Sequence, residues 1–139
     1  MAVLPTFAYS DQQLEKEILQ LNQRLLNSIV NGDWAVYKEL CANDITCFEP
    51  ETGGHQVEGM PFHKFFFPEN ALTDGDREVT MASPKIRILS KDRTSVLISY
   101  VRVNQRCKDN AQLSYFPETR IWSLIDGKWK HVHFHKSKY

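Results

Sequence analysis

The fold is decided near the carboxyl end of the chain, where residues 112–136 read QLSYFPETRIWSLIDGKWKHVHFHK. Two runs rich in β-branched and aromatic residues, 112–125 and 128–136, flank Asp126-Gly127, the dipeptide that a two-residue type I′ turn prefers. This pattern predicts an antiparallel hairpin. Two earlier segments of the same character, roughly 79–90 and 94–107, extend the hairpin into a four-stranded meander.

An amphipathic helix is predicted well before the meander, over residues 11–31. Its apolar residues recur every three or four positions, which places them on one face, and they are Leu14, Ile18, Leu21, Leu25 and Ile29. Ser10 is a suitable N-cap, and Gln13 stands at the capping-box position three residues later. Tyr9 is placed for a hydrophobic staple with Leu14.

A second, shorter helix follows immediately, because Gly32 supplies the left-handed turn that ends the first helix and Asp33 caps the next. Its buried side is predicted to carry Trp34, Tyr37, Leu40 and Cys41. Short strands are then expected at 45–48 and 56–57, on either side of the turn residues 52–54. A short third helix begins near Met60, with Pro61 in its first turn, and ends at Pro68. After a polar loop over 73–76, the meander begins.

Helices followed by a meander define an α+β class, with the long helix packed into the concave face of a highly curved, mixed or antiparallel sheet. A curved sheet wrapped around a helix in this way has the shape of a cone and usually encloses a pocket. We expect one domain over residues 11–139, preceded by an arm over residues 1–10. That start is either disordered or docks Leu4, Phe7 and Tyr9 on a neighbouring surface.

Charge and cysteine content narrow the functional classes. Seventeen basic residues balance seventeen acidic ones, so there is no cationic excess of the kind that nucleic-acid and membrane-surface binders use. Cys41, Cys47 and Cys107 form an odd set without CxxC spacing, which is typical of reduced thiols in a cytoplasmic protein. No signal sequence or membrane span is evident, and another protein is the expected partner.

Seven short runs together resemble the association (hub) domain of calcium/calmodulin-dependent protein kinase II, from about residue 14 to residue 137. They are Asn31-Gly32-Asp33, Phe48-Glu49-Pro50-Glu51, Val57-Glu58-Gly59-Met60, Phe62-His63, Glu118-Thr119-Arg120, Asp126-Gly127-Lys128-Trp129 and His133-Phe134-His135. The resemblance implies the conical nuclear transport factor 2-like fold. It also implies a homo-oligomer, two stacked rings of six, seven or more subunits, and no cofactor.

The 139 residues contain no Gly-rich ATP loop, no His-Arg-Asp motif and no Asp-Phe-Gly motif, so we expect a hub-like module without kinase activity. The resemblance leaves open two further partners, namely a kinase hub or kinase subunits and a small carboxylate ligand. Pro117 stands where the family has an acidic residue, and its missing N–H predicts a local bulge in that strand.

Three cations on different late strands, Arg102, Arg120 and Lys136, are predicted by strand alternation to converge on one cavity. In the hub family the corresponding positions, with that of His63 nearby, line a basic pocket that accepts carboxylates. Lysine presents a single point charge, whereas arginine presents two parallel N–H donors to a carboxylate, so Lys136 should bind a carboxylate more weakly than arginine would. The alternative is internal salt bridging with Glu49, Glu58 or Glu118.

Further side chains are candidates for contacts between subunits. His131, His133 and His135 alternate along one strand and are predicted to share a face, where an interfacial role with pH-sensitive assembly is favoured over a metal site. Phe65, Phe66 and Trp129 complete the interface set, and Trp122 is expected to pack across strands near Trp129.

Two other functions stay open at this point. The cone fold also hosts isomerases and dehydratases, for which His63, Glu49 or Glu118 would be the general base and Tyr100 an electrophile. A cation-rich pocket suits binding an acid better than removing a proton from a neutral ketone. The remaining alternative is a carboxylate sensor whose ligand biases the stability of the ring.

Overall fold

The computed structural model describes residues 10–67, 77–106 and 112–138. Its elements in chain order are α1 (Asp11–Val30), α2 (Trp34–Leu40), β1 (Cys41–Phe48), a 3₁₀ turn (Pro50–Thr52), β2 (Val57–Glu58), α3 (Met60–Lys64), β3 (Arg77–Ile88), β4 (Ser95–Arg106), β5 (Leu113–Ile125) and β6 (Lys128–Lys136). The predicted arm, the staple of Tyr9, the stop at Pro68, the loop over 73–76 and Cys107 lie outside the described residues.

Helix α1 begins as predicted, with a reciprocal capping box. The Ser10 hydroxyl accepts the Gln13 N–H at 3.1 Å, and the Gln13 side chain accepts the Ser10 N–H at 2.9 Å. In the apolar stripe of α1, Leu14, Ile18 and Leu25 are buried in the core, while Leu21 and Ile29 are partly buried and pack against it. Within that core the indole N–H of Trp122 donates to Asn22 at 3.0 Å, which satisfies two buried polar groups and fixes the helix on the sheet.

The pair of helices α1 and α2 also forms as predicted, except at the last residue predicted for α2. Gly32 adopts φ 66°, and the Asp33 side chain accepts the Val36 N–H at 3.2 Å. Cys41, predicted on α2, has an extended backbone and is instead the first residue of β1. It lies opposite His131 in a parallel pairing with β6.

The strands of the described residues form one six-stranded sheet of order β2-β1-β6-β5-β4-β3, in which β1 and β6 pair in parallel and the other neighbours are antiparallel. Asp126 and Gly127 both have positive φ, 51° and 77°, so the predicted two-residue hairpin turn is present. The four meander strands lie within two residues of their predicted starts and ends. The α+β class is therefore confirmed.

The predicted bulge at Pro117 is wrong. Pairing of β4 with β5 runs without a register shift through Val101 and Pro117. The Pro117 carbonyl accepts the Ser137 N–H at 2.9 Å, so its missing N–H faces the side where β6 has ended, and no bond to β4 is lost. The meander bends instead between Ala82 and Lys85, where the register of β3 shifts and Ser83 has φ 50°.

Helix α3 is short, as predicted, and the turn that follows it buries one phenylalanine and leaves two exposed. Phe67 is buried, with its ring 4.9 Å from that of Tyr37 and 5.3 Å from that of Trp34. Phe65 is 81% exposed and Phe66 48% exposed. None of the helices in the described ranges is long and apolar enough to cross a membrane.

Candidate functional site: a cationic cavity around one carboxylate

A cavity of about 190 Å³ opens between the inner face of the sheet, the end of α1 and the turn after α3. Its lining includes all four residues predicted for a ligand pocket, His63, Arg102, Arg120 and Lys136. The sheet positions the three cations because inward positions alternate along β4, β5 and β6. Their convergence on one cavity agrees with the prediction, and a ligand-binding role for them stays a prediction.

Glu118 on β5 is the carboxylate around which the cavity is organised. Its side chain is fully buried and lies 3.1 Å from Arg120 Nη2 and 3.3 Å from Arg102 Nη1. The Tyr100 hydroxyl donates to it at 2.5 Å. Of the three acids considered as internal partners, Glu118 is thus the one that pairs with the arginines, whereas Glu58 lies exposed on β2.

Glu118 is one negative charge between two positively charged arginines. Burial raises the pKa of Glu118, but Arg120 and then Arg102 outweigh this effect and hold the pKa below its usual range. The carboxylate is therefore ionised at neutral pH. Two guanidinium groups against one carboxylate leave one positive charge in excess within this buried group.

Arg120 is fully enclosed by further partners. Its Nη1 donates to His131 Nε2 at 3.2 Å, and its guanidinium carbon lies 4.4 Å from the centre of the Phe134 ring. Because arginine can only donate, His131 accepts at Nε2 and is neutral with its proton on Nδ1, 3.4 Å from Cys41 Sγ. Burial, followed by Arg120, lowers the pKa of His131 well below its usual value, in agreement with that tautomer.

His63 is held in place on the opposite wall. Its Nδ1 lies 2.8 Å from the Tyr37 hydroxyl and its Nε2 lies 3.9 Å from Cys47 Sγ. Burial and the charge of Arg120 lower the pKa of His63 to about 4, so the ring is neutral at physiological pH. It therefore lines the cavity as a neutral ring whose two nitrogens both have partners within the protein.

Lys136 lies at the mouth of the cavity and already has a carboxylate partner. Its Nζ is 3.2 Å from Glu51 Oε1, and it also lies 5.0 Å from the centre of the Phe116 ring. Glu49 lines the same cavity, and burial raises its pKa even though Lys136 opposes the shift. An incoming anion would therefore meet a mouth that contains both signs of charge.

Two of the three predicted bases and the predicted electrophile have environments that are unfavourable for acid–base catalysis, whereas the pKa of the third base, Glu49, is raised by burial. Glu118 is stabilised as an anion by two arginines, and His63 has a pKa of about 4, so both are weak bases. Burial raises the pKa of Tyr100 to about 12, and its hydroxyl proton is already donated to Glu118.

The two described thiols also offer little chemistry. Cys41 and Cys47 are both buried and free, and burial raises the pKa of each to about 12. A thiol with such a pKa is almost entirely protonated and a poor nucleophile. Their role is packing beside the two neutral histidines.

The prediction that three β6 histidines share one face is wrong. Trp122 pairs with His131 and Ile121 with His133, so β6 contains one extra residue, Val132, at a bulge. His131 consequently points into the core, where it is fully buried and unable to contact another subunit. His133 and His135 point outward, and among the described residues no group of three or more His, Cys, Asp or Glu side chains is arranged to hold a metal.

The other interface candidates remain accessible to differing degrees. His133 Nδ1 lies 2.7 Å from the Thr46 hydroxyl, and burial followed by the charge of His135 lowers the pKa of His133. Trp129 is half-buried and lies opposite Leu124, whereas Trp122 is fully buried beside His131, so each packs across its own strand pair. A contact role for the accessible members stays a prediction.

Comparison with known proteins accounts for almost the entire chain. A family model described as "Calcium/calmodulin dependent protein kinase II association domain" matches residues 14–139. The chain belongs to this family. As an association domain, it is 36% identical over 127 residues to rabbit (Oryctolagus cuniculus) calcium/calmodulin-dependent protein kinase type II subunit delta. That alignment includes 88% of the chain and 23% of the relative, so the chain spans less than a quarter of the length of this kinase.

Solved association domains share both the fold and the sequence pattern. The association domain of the Caenorhabditis elegans kinase superposes with a TM-score of 0.84 at 32% identity, covering 94% of this chain and 99% of that one. The hub homology domain of Chlamydomonas reinhardtii gives a TM-score of 0.80 at 38% identity, with 90% and 98% covered. A nuclear transport factor 2-like protein of Cytophaga hutchinsonii, at 21% identity and a TM-score of 0.68, covers 90% of this chain and 98% of that one and shows the fold alone.

Proposed function

We propose that this association domain is a cytoplasmic self-assembly module, whose copies form a closed, ring-like homo-oligomer of a dozen or more subunits in two stacked rings. Family membership supports self-association, and the observation that carries the proposal in this chain is an apolar patch on the outer face of the sheet. We define the outer-face patch as Val101, Val103, Leu113, Tyr115 and Pro117.

The outer-face patch is contiguous because β4 and β5 pair residue by residue. Val101 lies opposite Pro117, and Val103 lies opposite Tyr115. Three of its members are large and solvent-exposed, at 36% for Val101 and 47% each for Leu113 and Tyr115. Contiguous apolar patches on a soluble domain mark interaction surfaces, and closure around a symmetry axis would bury them.

A second apolar surface lies at the turn after α3. The rings of Phe65 and Phe66 are in edge-to-face contact, with centroids 5.6 Å apart, and both are solvent-exposed. Two separate surfaces on one protomer are what a stacked-ring assembly needs, because contacts within a ring and contacts between rings are different interfaces.

Native mass spectrometry and light scattering across a range of protein concentrations test this proposal. We expect one closed species of high mass for the wild type and smaller species for Tyr115→Lys and Phe65→Lys, which place a charge in the two surfaces. Leu89→Lys is the matched control for Tyr115→Lys, because Leu89 is 49% exposed against 47% for Tyr115 but lies beside the β3–β4 turn. A wild type that is a monomer or dimer at every concentration would disprove the proposal.

We also propose that the cationic cavity of this module accepts a small carboxylate. The excess positive charge of the Arg102–Glu118–Arg120 group supports the proposal, since a buried charge in excess favours an anion nearby. His63 lines the opposite wall as a neutral ring, and Lys136, whose Nζ is paired with Glu51, is the cation at the mouth.

Arg102 and Arg120 pair with Glu118 in the core, so substituting either of them would also disturb folding. A substitution of Lys136 tests ligand binding without breaking those buried ion pairs. Calorimetric titration with acetate should show weaker binding to Lys136→Gln and tighter binding to Lys136→Arg, whose fork binds a carboxylate bidentately. Lys128→Gln, at the exposed β5–β6 turn, removes the same charge away from the cavity. Equal acetate affinity in all four proteins would remove Lys136 from the site, and no binding to any of them would disprove the carboxylate pocket.

A further inference from the structure

A second cavity, of about 250 Å³, opens at the end of the sheet where β4 finishes and β5 begins. Its lining contains three arginines, Arg77, Arg102 and Arg106, and polar side chains that include Asn104, Gln112 and Ser114. Arg102 also lines the first cavity, whereas Arg77 and Arg106 line only the second. The two cavities therefore share the Arg102 side chain in their linings.

Strand pairing brings two of these positive charges together. Arg77 on β3 lies directly opposite Arg106 on β4, at the outermost pair of that ladder. Like charges in directly opposed positions destabilise a sheet. Arg102, Asn104 and Arg106 occupy alternate positions of β4, so all three project to the concave face.

Acidic side chains are missing from the described part of this lining. Within residues 10–67, 77–106 and 112–138, no Asp or Glu borders the second cavity, and neither Arg77 nor Arg106 forms an ion pair. Arg102 directs one nitrogen, Nη1, to Glu118 and another, Nε, to Asn104 Oδ1 at 3.0 Å. The charges of Arg77 and Arg106 are therefore uncompensated by the described residues.

We propose that this second cavity binds a small phosphate-bearing molecule, with Arg77 and Arg106 as its principal ligands. Guanidinium forks match the oxygen geometry of phosphate, and a dianion would neutralise both exposed charges at once. The Arg77–Arg106 pair, unfavourable by itself, then becomes a chelating pair. Asn104, Gln112 and Ser114 supply neutral groups for the remaining polar atoms of the ligand. This site does not depend on the proposed assembly.

Inorganic phosphate is the probe, titrated into the full chain against sodium chloride of equal ionic strength, with calorimetry and thermal melting as readouts. We expect saturable binding and a rise in melting temperature for the wild type, and at least ten-fold weaker binding for Arg77→Gln and Arg106→Gln. Arg87→Gln, exposed at the other end of β3, controls for net charge, and Lys136→Gln controls for the first cavity. Both controls should bind phosphate as the wild type does.

Melting temperatures measured without phosphate test independently whether the Arg77–Arg106 pair is repulsive. If the arginine pair is uncompensated, Arg106→Gln removes a repulsion, and the variant melts at or above the wild-type temperature. Melting of both Arg77→Gln and Arg106→Gln below the wild type would mean that acids of this chain or of another copy already neutralise the pair, which would overturn the proposal. Wild-type phosphate affinity in both variants, loss of binding in Lys136→Gln, or equal affinity for acetate would overturn it as well.

Discussion

Glu118→Gln is the substitution that most directly tests how the core of this association domain is held together. The glutamine has the size of the glutamate but no charge, and it places an amide N–H₂ where a carboxylate oxygen now accepts hydrogen bonds. At least one of the three donors, the Arg102 and Arg120 guanidiniums and the Tyr100 hydroxyl, then faces another donor. Both guanidiniums also lose their only acidic partner among the described residues.

Breaking a buried ion pair by removing one partner costs about 3–5 kcal/mol, because the remaining charge stays buried. The arrangement here leaves two such charges, with the Arg102 and Arg120 side chains 7% and 1% exposed, so we expect a loss at the upper end of that range. For a chain of this length the loss corresponds to a fall in melting temperature of about 10–20 °C. It is a large share of the roughly 5–15 kcal/mol that stabilises a typical domain.

Urea unfolding at one fixed protomer concentration is the appropriate assay, since self-association adds to the apparent stability. Glu58→Gln, on the exposed strand β2, makes the same chemical change at the surface and should cost less than about 0.5 kcal/mol. Arg102→Met should cost less than Glu118→Gln, because it leaves a balanced Glu118–Arg120 pair. A Glu118→Gln variant within 1 kcal/mol of the wild type would show that the arginines do not depend on this carboxylate.

Three further measurements follow from the same structure. A histidine whose folded pKa lies below its unfolded pKa takes up a proton on unfolding, so His63 lowers stability as the pH falls from about 6.5 to about 4. His63→Gln should therefore reduce the loss of stability over this pH range. A loss of stability equal to that of the wild type would contradict the neutral His63. In a Cys107→Ser background, Cys41 and Cys47 should react with a thiol reagent only at the rate of unfolding, since burial raises the pKa of each to about 12; fast labelling of the native protein would refute their burial. Gly127→Ala should lower stability by about 1 kcal/mol, because φ 77° strains any residue with a Cβ, and a smaller change on urea unfolding would mean that the turn relaxes at no cost.

The features predicted correctly from sequence are those that local chemistry specifies. The capping box at Ser10, the left-handed Gly32 and the Asp126-Gly127 turn each depend on residues within a few positions of one another. Strand alternation is also local, and it predicts Arg102, Arg120 and Lys136 on the face where the structure has them lining one cavity.

The errors come from long-range pairing. Cys41 and the three residues after it have little strand propensity, and they become strand because β1 lies beside β6, ninety residues later in the chain. The bulge at Val132 arises between two partners, because β6 pairs with β1 on one side and β5 on the other. No signal in the β6 sequence itself distinguishes His131 as inward and His133 as outward.

The candidate site shows the same limit at the level of single contacts. Alternation predicted that Glu118 and Arg120 share a face, but it did not show that Glu118 would take both arginines while Glu49 took neither. That choice depends on distances set by three strands together. The Tyr37–His63 contact depends likewise on how α2 meets α3, and the Cys41–His131 contact on how β1 meets β6.

Arg102 is the residue through which the stability of the core and the two proposed anion sites are expected to be connected. Glu118 and Arg120 alone would form a balanced buried pair, so the stability of the core does not require a second guanidinium; Arg102 adds a desolvation cost and an excess charge. Its side chain also lines both cavities, with Nη1 on Glu118 and Nε on Asn104. An anion on either side would compensate the excess, so occupancy of one cavity should weaken binding of an anion in the other. Phosphate titrations with and without saturating acetate measure this coupling, and affinities that are independent of each other would show that Arg102 is neutralised by Glu118 alone.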